Sequence, residues 1–271
     1  MARLGSTPFA FPDFRGATRR LVLVNLAAFF VLALAGVALP DWAGPTAGWL
    51  TFQPSFFLHG ALWQPFTYSL IHPSLIGTLF ELLSLWFLAG FLESLHGDTW
   101  TTGLYIASVL GTALAGVVLY ALGSGLNIPV LPVPLYGCFG GIFGLLVAIG
   151  LLYGNMEFLL FFTIGIKARY MAIIYGLVTI AMLFGEQKLY AFAQLGGALA
   201  GYIYIRMAPR RGFQFAFSES WYGLRNRYYR WKRRRAARKF EVYMRAQGRT
   251  VRFDGNGQKI DEEHDDKSRW N

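Results

Sequence analysis

Side chains with acid, base or nucleophile chemistry are few in these 271 residues. There is one cysteine, Cys138, and there are four histidines, His59, His72, His96 and His264. One carboxylate, Glu81, interrupts a long apolar run. A single cysteine excludes a disulfide framework and a thiolate metal cluster, and no metal or cofactor is expected. Cys138 is a nucleophile only with a base within hydrogen-bond reach. No histidine lies in the apolar segments that follow it, so its expected role is a small buried packing residue.

The elements that must position these groups are membrane helices. The chain is 55% hydrophobic and only 15% charged, against about 25% charged in a soluble domain. No lysine or arginine lies between Arg20 and Lys167. A surface facing water could not be covered that way, whereas one facing lipid can. A hydrocarbon core of about 30 Å needs roughly 20 apolar residues per helix. Six segments are expected to cross: Arg20–Leu39, Leu75–Phe91, Trp100–Leu122, Leu135–Tyr153, Tyr170–Phe184 and Leu189–Met207. The first is too long for a cleaved signal and reads as a retained span. Met156–Ile166 is apolar but too short to cross, and is expected to extend the fourth helix or to lie at the interface. The fold class is therefore all-α integral membrane, a six-transmembrane-helix bundle over residues 20–207. A cytoplasmic segment, 1–19, precedes it and a basic tail, 208–271, follows.

Orientation follows from the positive-inside rule. Arg3, Arg15, Arg19 and Arg20, then Lys167 and Arg169, then the tail all fall on one face, which predicts cytoplasmic N- and C-termini. The segment 40–74, rich in Trp and Phe, reads as a structured loop lying half in the outer leaflet. In the tail, Trp221, Leu224, Tyr228 and Trp231 recur at helical spacing within 220–248, which predicts an amphipathic helix. Its basic residues Arg225, Arg227, Arg230, Lys232, Arg233, Arg234 and Arg235 are expected to contact anionic lipid, at about 1 kcal/mol each near a membrane surface. A protein partner ranks next and nucleic acid last. Beyond 248 the chain is polar, ends acidic and is expected to be disordered. A carboxylate at mid-membrane costs about 2.5–3.5 kcal/mol on insertion scales, so Glu81 must be buried, neutralised or paired. The expected partner is Gln194; the alternative is a polar hook for another protein's transmembrane helix.

Three stretches carry a resemblance. Leu62–Glu93 includes the Trp63–Gln64 pair, His72, and Gly90 before Glu93. Tyr136–Gly144 reads YGCFGGIFG, and Ala193–Gly201 reads AQLGGALAG. Together these resemble the first loop and second helix, the fourth helix and the sixth helix of rhomboid intramembrane serine proteases. The resemblance implies a rhomboid-like bundle in which Phe139 stands at the serine position and Gln194 at the histidine position. It places Gly77 and Glu81 where the family carries oxyanion donors. Phenylalanine offers no nucleophilic atom and an amide is no general base. A glutamate would repel a developing oxyanion. The implied protein is a pseudoprotease with no catalytic residue. Gly137, Gly140, Gly141 and Gly144 on the fourth helix, with Gly197 and Gly201 on the sixth, are expected to allow close helix packing.

On this reading the function is non-proteolytic binding of a transmembrane client or partner protein. The alternatives are a structural subunit of a larger membrane complex, and, against the residues at 139 and 194, a working serine endopeptidase. The expected location is the bacterial inner membrane.

Overall fold

The computed structural model describes residues 12–126, 134–160, 164–185 and 188–207, and in the tail 226, 228–229, 231–232, 235–237 and 240–248. The chain divides into one unit over residues 1–213 and a second over 214–271.

Each of the six apolar segments forms a helix. They are α1 (Gly16–Ala38), α5 (Leu75–His96), α6 (Asp98–Gly125), α7 (Phe139–Leu152), α8 (Ala168–Met182) and α9 (Lys188–Met207). Between α1 and α5 lie three short helices, α2 (Pro40–Leu50), α3 (Pro54–Leu58) and α4 (Gln64–Thr67), then a 3-10 turn at Tyr68–Leu70. Proline opens α2 and α3 and sits at the start of α4, where its missing N–H costs nothing. The segment is fastened from within. The fully buried Gln64 accepts a bond from Gln53 N–H (3.1 Å) and donates to the Trp49 carbonyl (3.2 Å). Trp49 stacks on Trp63, with centroids 6.2 Å apart.

Among the described residues, only α1, α5 and α6 are both long and apolar enough to cross a membrane. They are three of the six segments expected to cross. At 1.5 Å per residue, α7 and α8 reach about 21–23 Å, short of a hydrocarbon core of about 30 Å. The α9 helix has the length, but Lys188, Gln194 and Arg206 dilute its hydropathy. For Met156–Ile166, the expectation that it extends the fourth helix is corrected. The segment neither extends α7 nor forms a helix: Glu157–Leu160 (β1) pairs antiparallel with Ile164–Lys167 (β2). A short apolar run has no periodicity to separate strand from helix.

The α1 N-terminus is capped from a distance. Glu93, near the end of α5, accepts the backbone N–H of Ala17 (3.1 Å) and Thr18 (2.8 Å) and the Thr18 hydroxyl (2.6 Å). First-turn N–H groups have no partner within their own helix, and a carboxylate there also meets the positive end of the helix dipole. Arg20 pairs with Asp98 beside it. Gly97, at φ +83°, lets the chain reverse between α5 and α6.

The core is α6, α7 and α9, brought together by small residues. A Cβ at Gly140 would strike Thr112, one at Gly144 would strike Ser108, and one at Gly201 would lie 2.9 Å from the Gly144 Cα. Gly111 and Gly196 oppose each other across α6 and α9, where a Cβ on Gly196 would sit 2.9 Å from the Gly111 carbonyl oxygen. The close contact thus involves three helices, with α6 joining the two that carry the glycine motifs. In contrast α8 lies at the margin: only Ala168 and Thr179 are buried, while Ile173, Ile174, Leu177 and Val178 are exposed. Apolar residues also cover the outer faces of α1 and α5, a surface suited to lipid rather than water.

In the tail, the described residues from 226 to 246 are helical. Tyr228 stacks on Trp231, and the Arg235 guanidinium lies 5.4 Å from the Trp231 ring centre. Lys232 is exposed. Arg225, Arg227, Arg230, Arg233 and Arg234 lie outside the described residues, as does the chain beyond 248.

Candidate functional site

The start of α7 organises the site. Backbone bonds between Phe52 and Leu135 (3.0 and 2.8 Å) pin the chain before it. Gly137 follows at φ +81°, its N–H donating to the Tyr68 carbonyl (3.1 Å). A side chain at 137 would be strained in that conformation, and its Cβ would come within 2.8 Å of Glu81 Oε2. The next residue, Cys138, is the N-cap of α7 and offers no capping oxygen. Glu81, in the second turn of α5, supplies one. Its Oε2 accepts the Cys138 N–H (2.9 Å) and the Cys138 thiol (3.3 Å).

His72, from the loop before α5, completes the contact. Its Nδ1 lies 3.2 Å from Glu81 Oε2, an ion-pair distance but off the hydrogen-bond line, so Nδ1 has no hydrogen-bond partner. Its Nε2 lies 3.1 Å from the Asn25 side-chain oxygen. Asn25, midway along α1, donates its amide to the Leu21 carbonyl (2.8 Å), which turns the oxygen toward His72. The His72 and Glu81 side chains are 0% and 4% exposed, and Cys138 is fully buried. The donor atoms of His72, Glu81 and Cys138 all lie within 4.8 Å of one another, close enough to share a metal ion. Tyr105 buries its hydroxyl near Ser69 and Asn25 without hydrogen-bond geometry to either.

On another side of α7 lies a cavity of about 320 Å³ between α7, α8 and α9. Phe139, Val178 and Met182 give it apolar walls, while Tyr175, Thr179, Tyr190 and Gln194 bring polar groups. The Tyr190 hydroxyl donates to the Tyr136 carbonyl (3.3 Å).

The residues singled out from sequence divide between these two places. Phe139 and Gln194 come together in the cavity. Glu81 does not pair with Gln194; among the described residues it is held by His72 and Cys138. It is also too deeply buried to serve as a hook for another chain. Gly77 joins neither place: it stands in the first turn of α5, where its N–H donates to the Ser74 hydroxyl (3.1 Å). Cys138 is buried in the core as expected, and in addition donates its N–H and thiol to Glu81. The base-by-segment argument missed the contact because Cys138 stands at the N-cap of α7 and its carboxylate partner lies 57 residues earlier in the sequence. The available signal was the pair of polar residues, Asn25 and Glu81, inside otherwise apolar spans.

No curated protein matches this chain. A family described as "Eukaryotic integral membrane protein (DUF1751)" matches residues 20–212. That match overturns the rhomboid assignment and the pseudoprotease label built on it. Glycine-rich motifs serve any tight membrane bundle, so their register did not identify the family. The bacterial inner membrane loses its support for the same reason, while the integral membrane assignment stands. With most of its length covered by that match, the chain is a member of the DUF1751 family of eukaryotic integral membrane proteins.

Proposed function

We propose that this protein binds the transmembrane segment of another membrane protein, in the cavity between α7, α8 and α9. The observation that carries the reading is the cavity itself: about 320 Å³, room for one or two guest side chains, beside a helix with only two buried residues. Its lining combines apolar walls with the Thr179 hydroxyl and the Gln194 amide. Inside a membrane, such groups favour a guest helix that carries a polar residue, because an unpaired polar group in hydrocarbon is costly. In this reading the chain crosses six times, with α7 and α8 as short spans, and keeps both termini in the cytoplasm. The basic tail then rests on anionic lipid.

The test uses full-length protein in vesicles with a photoreactive residue at Met182. Two synthetic spans of leucine are offered, one with a single central asparagine. The asparagine peptide is expected to crosslink in several-fold higher yield, and Thr179→Trp should suppress that difference. Equal yields, or labelling of lipid alone, would overturn the proposal.

A further inference from the structure

We propose that His72 Nδ1, the Glu81 carboxylate and Cys138 Sγ form a buried zinc site that ties the loop before α5, α5 and the start of α7 together. It is independent of the α7–α8–α9 cavity.

The argument begins with protons. Asn25 gives one amide N–H to the Leu21 carbonyl, and it is the amide oxygen that faces His72 Nε2. His72 Nε2 must therefore carry the hydrogen that this oxygen accepts. In a neutral imidazole the other nitrogen, Nδ1, is then a bare lone pair. That lone pair points into a fully buried space 3.2 Å from a carboxylate oxygen. Two acceptors at that distance repel unless a positive charge lies between them. The charge is either an added proton or a metal cation.

The remaining geometry accommodates the metal, with all three donor atoms within 4.8 Å of one another. Zinc–nitrogen and zinc–oxygen bonds of about 2.0 Å, with a zinc–sulfur bond of about 2.3 Å, give tetrahedral edges of roughly 3.3 Å for N···O and 3.5 Å for S···O. The measured separations are 3.2 Å for Nδ1···Oε2 and 3.3 Å for Sγ···Oε2. A proton shared by His72 and Glu81 would need a linear approach, which Nδ1 lacks. The donor set of one thiolate, one imidazole and one carboxylate suits zinc; magnesium and calcium demand oxygen alone. Asn25 is the outer partner that fixes the histidine tautomer, as such partners do at zinc sites.

Charge also balances. When Zn²⁺ enters, the thiol proton now donated to Glu81 leaves to solvent, and so does any proton held on His72 Nδ1. The ion's two positive charges then meet one thiolate and one carboxylate, which leaves a neutral buried site. Three protein ligands leave the fourth tetrahedral position for water.

The test uses the full-length protein in detergent or nanodiscs, purified, stripped with chelator and reloaded with Zn²⁺ or Co²⁺. One zinc per chain by elemental analysis is expected, with a higher unfolding midpoint than the stripped protein. Co²⁺ should give the visible bands of a tetrahedral site and a thiolate charge-transfer band. Cys138→Ser should lose the charge-transfer band, and Asn25→Ala should weaken Zn²⁺ binding by about 10- to 100-fold. Two outcomes would overturn the proposal. One is no metal uptake by the unmodified protein, which leaves a plain His72–Glu81 ion pair. The other is metal bound without a thiolate band, which places it elsewhere. The unmodified protein alone decides, so a variant that misfolds does not blunt the test.

Discussion

Glu81 sits where three demands meet: the open N-terminus of α7, the Cys138 thiol and the bare face of His72. A leucine would meet none of them. Glu81→Leu leaves the Cys138 N–H without a partner and removes the carboxylate beside His72 Nδ1, and is expected to cost about 3–5 kcal/mol, the range for breaking a buried pair. Glu81→Gln keeps a carbonyl oxygen for the Cys138 N–H and should cost less, about 1–3 kcal/mol. Reversible unfolding in mixed micelles measures both. Equal losses would show that the carboxylate does not cap α7. Tyr68 shows the same economy beside it: its hydroxyl donates to the Val109 carbonyl (2.7 Å), and burial pushes its phenol well above the ordinary range.

Among the elements, the apolar segments were legible because lipid imposes a length and a composition that any sequence must display. All six are helices, with ends shifted by a few residues. The β1–β2 hairpin was not legible, since pairing across a turn leaves no mark on a short apolar run. The close packing of α7 and α9 was legible from Gly140, Gly144, Gly197 and Gly201. The share taken by α6 was not, because it contributes the hydroxyls of Ser108 and Thr112 that fill the space above those glycines. The tail belongs at this scale too. Tyr228 and Trp231 stack on one another beside exposed Lys232, an arrangement of aromatic anchors and cations suited to a headgroup layer. A peptide of residues 220–248 should float with vesicles containing anionic lipid and fail to float with zwitterionic ones. Binding that ignores lipid charge would reject the lipid role.

For the whole molecule, the pairing of Arg20 with Asp98 and the capping of α1 by Glu93 put the start of α1 and the α5–α6 turn at one end. With α5 and α6 as full spans, that end is the cytoplasmic one under the proposed topology. Single cysteines in a Cys138→Ser background test it with an impermeant maleimide on sealed vesicles of cytoplasm-inside orientation. Trp42→Cys and Lys188→Cys should be labelled at once, and Asp98→Cys and Asn155→Cys only after permeabilisation. Labelling of Asn155→Cys in intact vesicles would end the six-span arrangement. The grouping of Asn25, His72, Glu81 and Cys138 was not legible at any scale of the sequence. It joins residues that lie up to 113 positions apart, and it exists only after α1, α5 and α7 have packed.

The distant cap on α1 also sets a schedule. During synthesis α1 precedes α5, so the carboxylate that satisfies Thr18 is made 75 residues later. Until then the helix has few contacts of its own, since Ala17, Thr18, Val22 and Asn25 are its only buried residues. Asn25 can meet His72 before Glu93 is made, but the N–H groups of Ala17 and Thr18 cannot be capped until the end of α5 exists. The fastening of α1 is therefore divided between an earlier contact at its middle and a later one at its start.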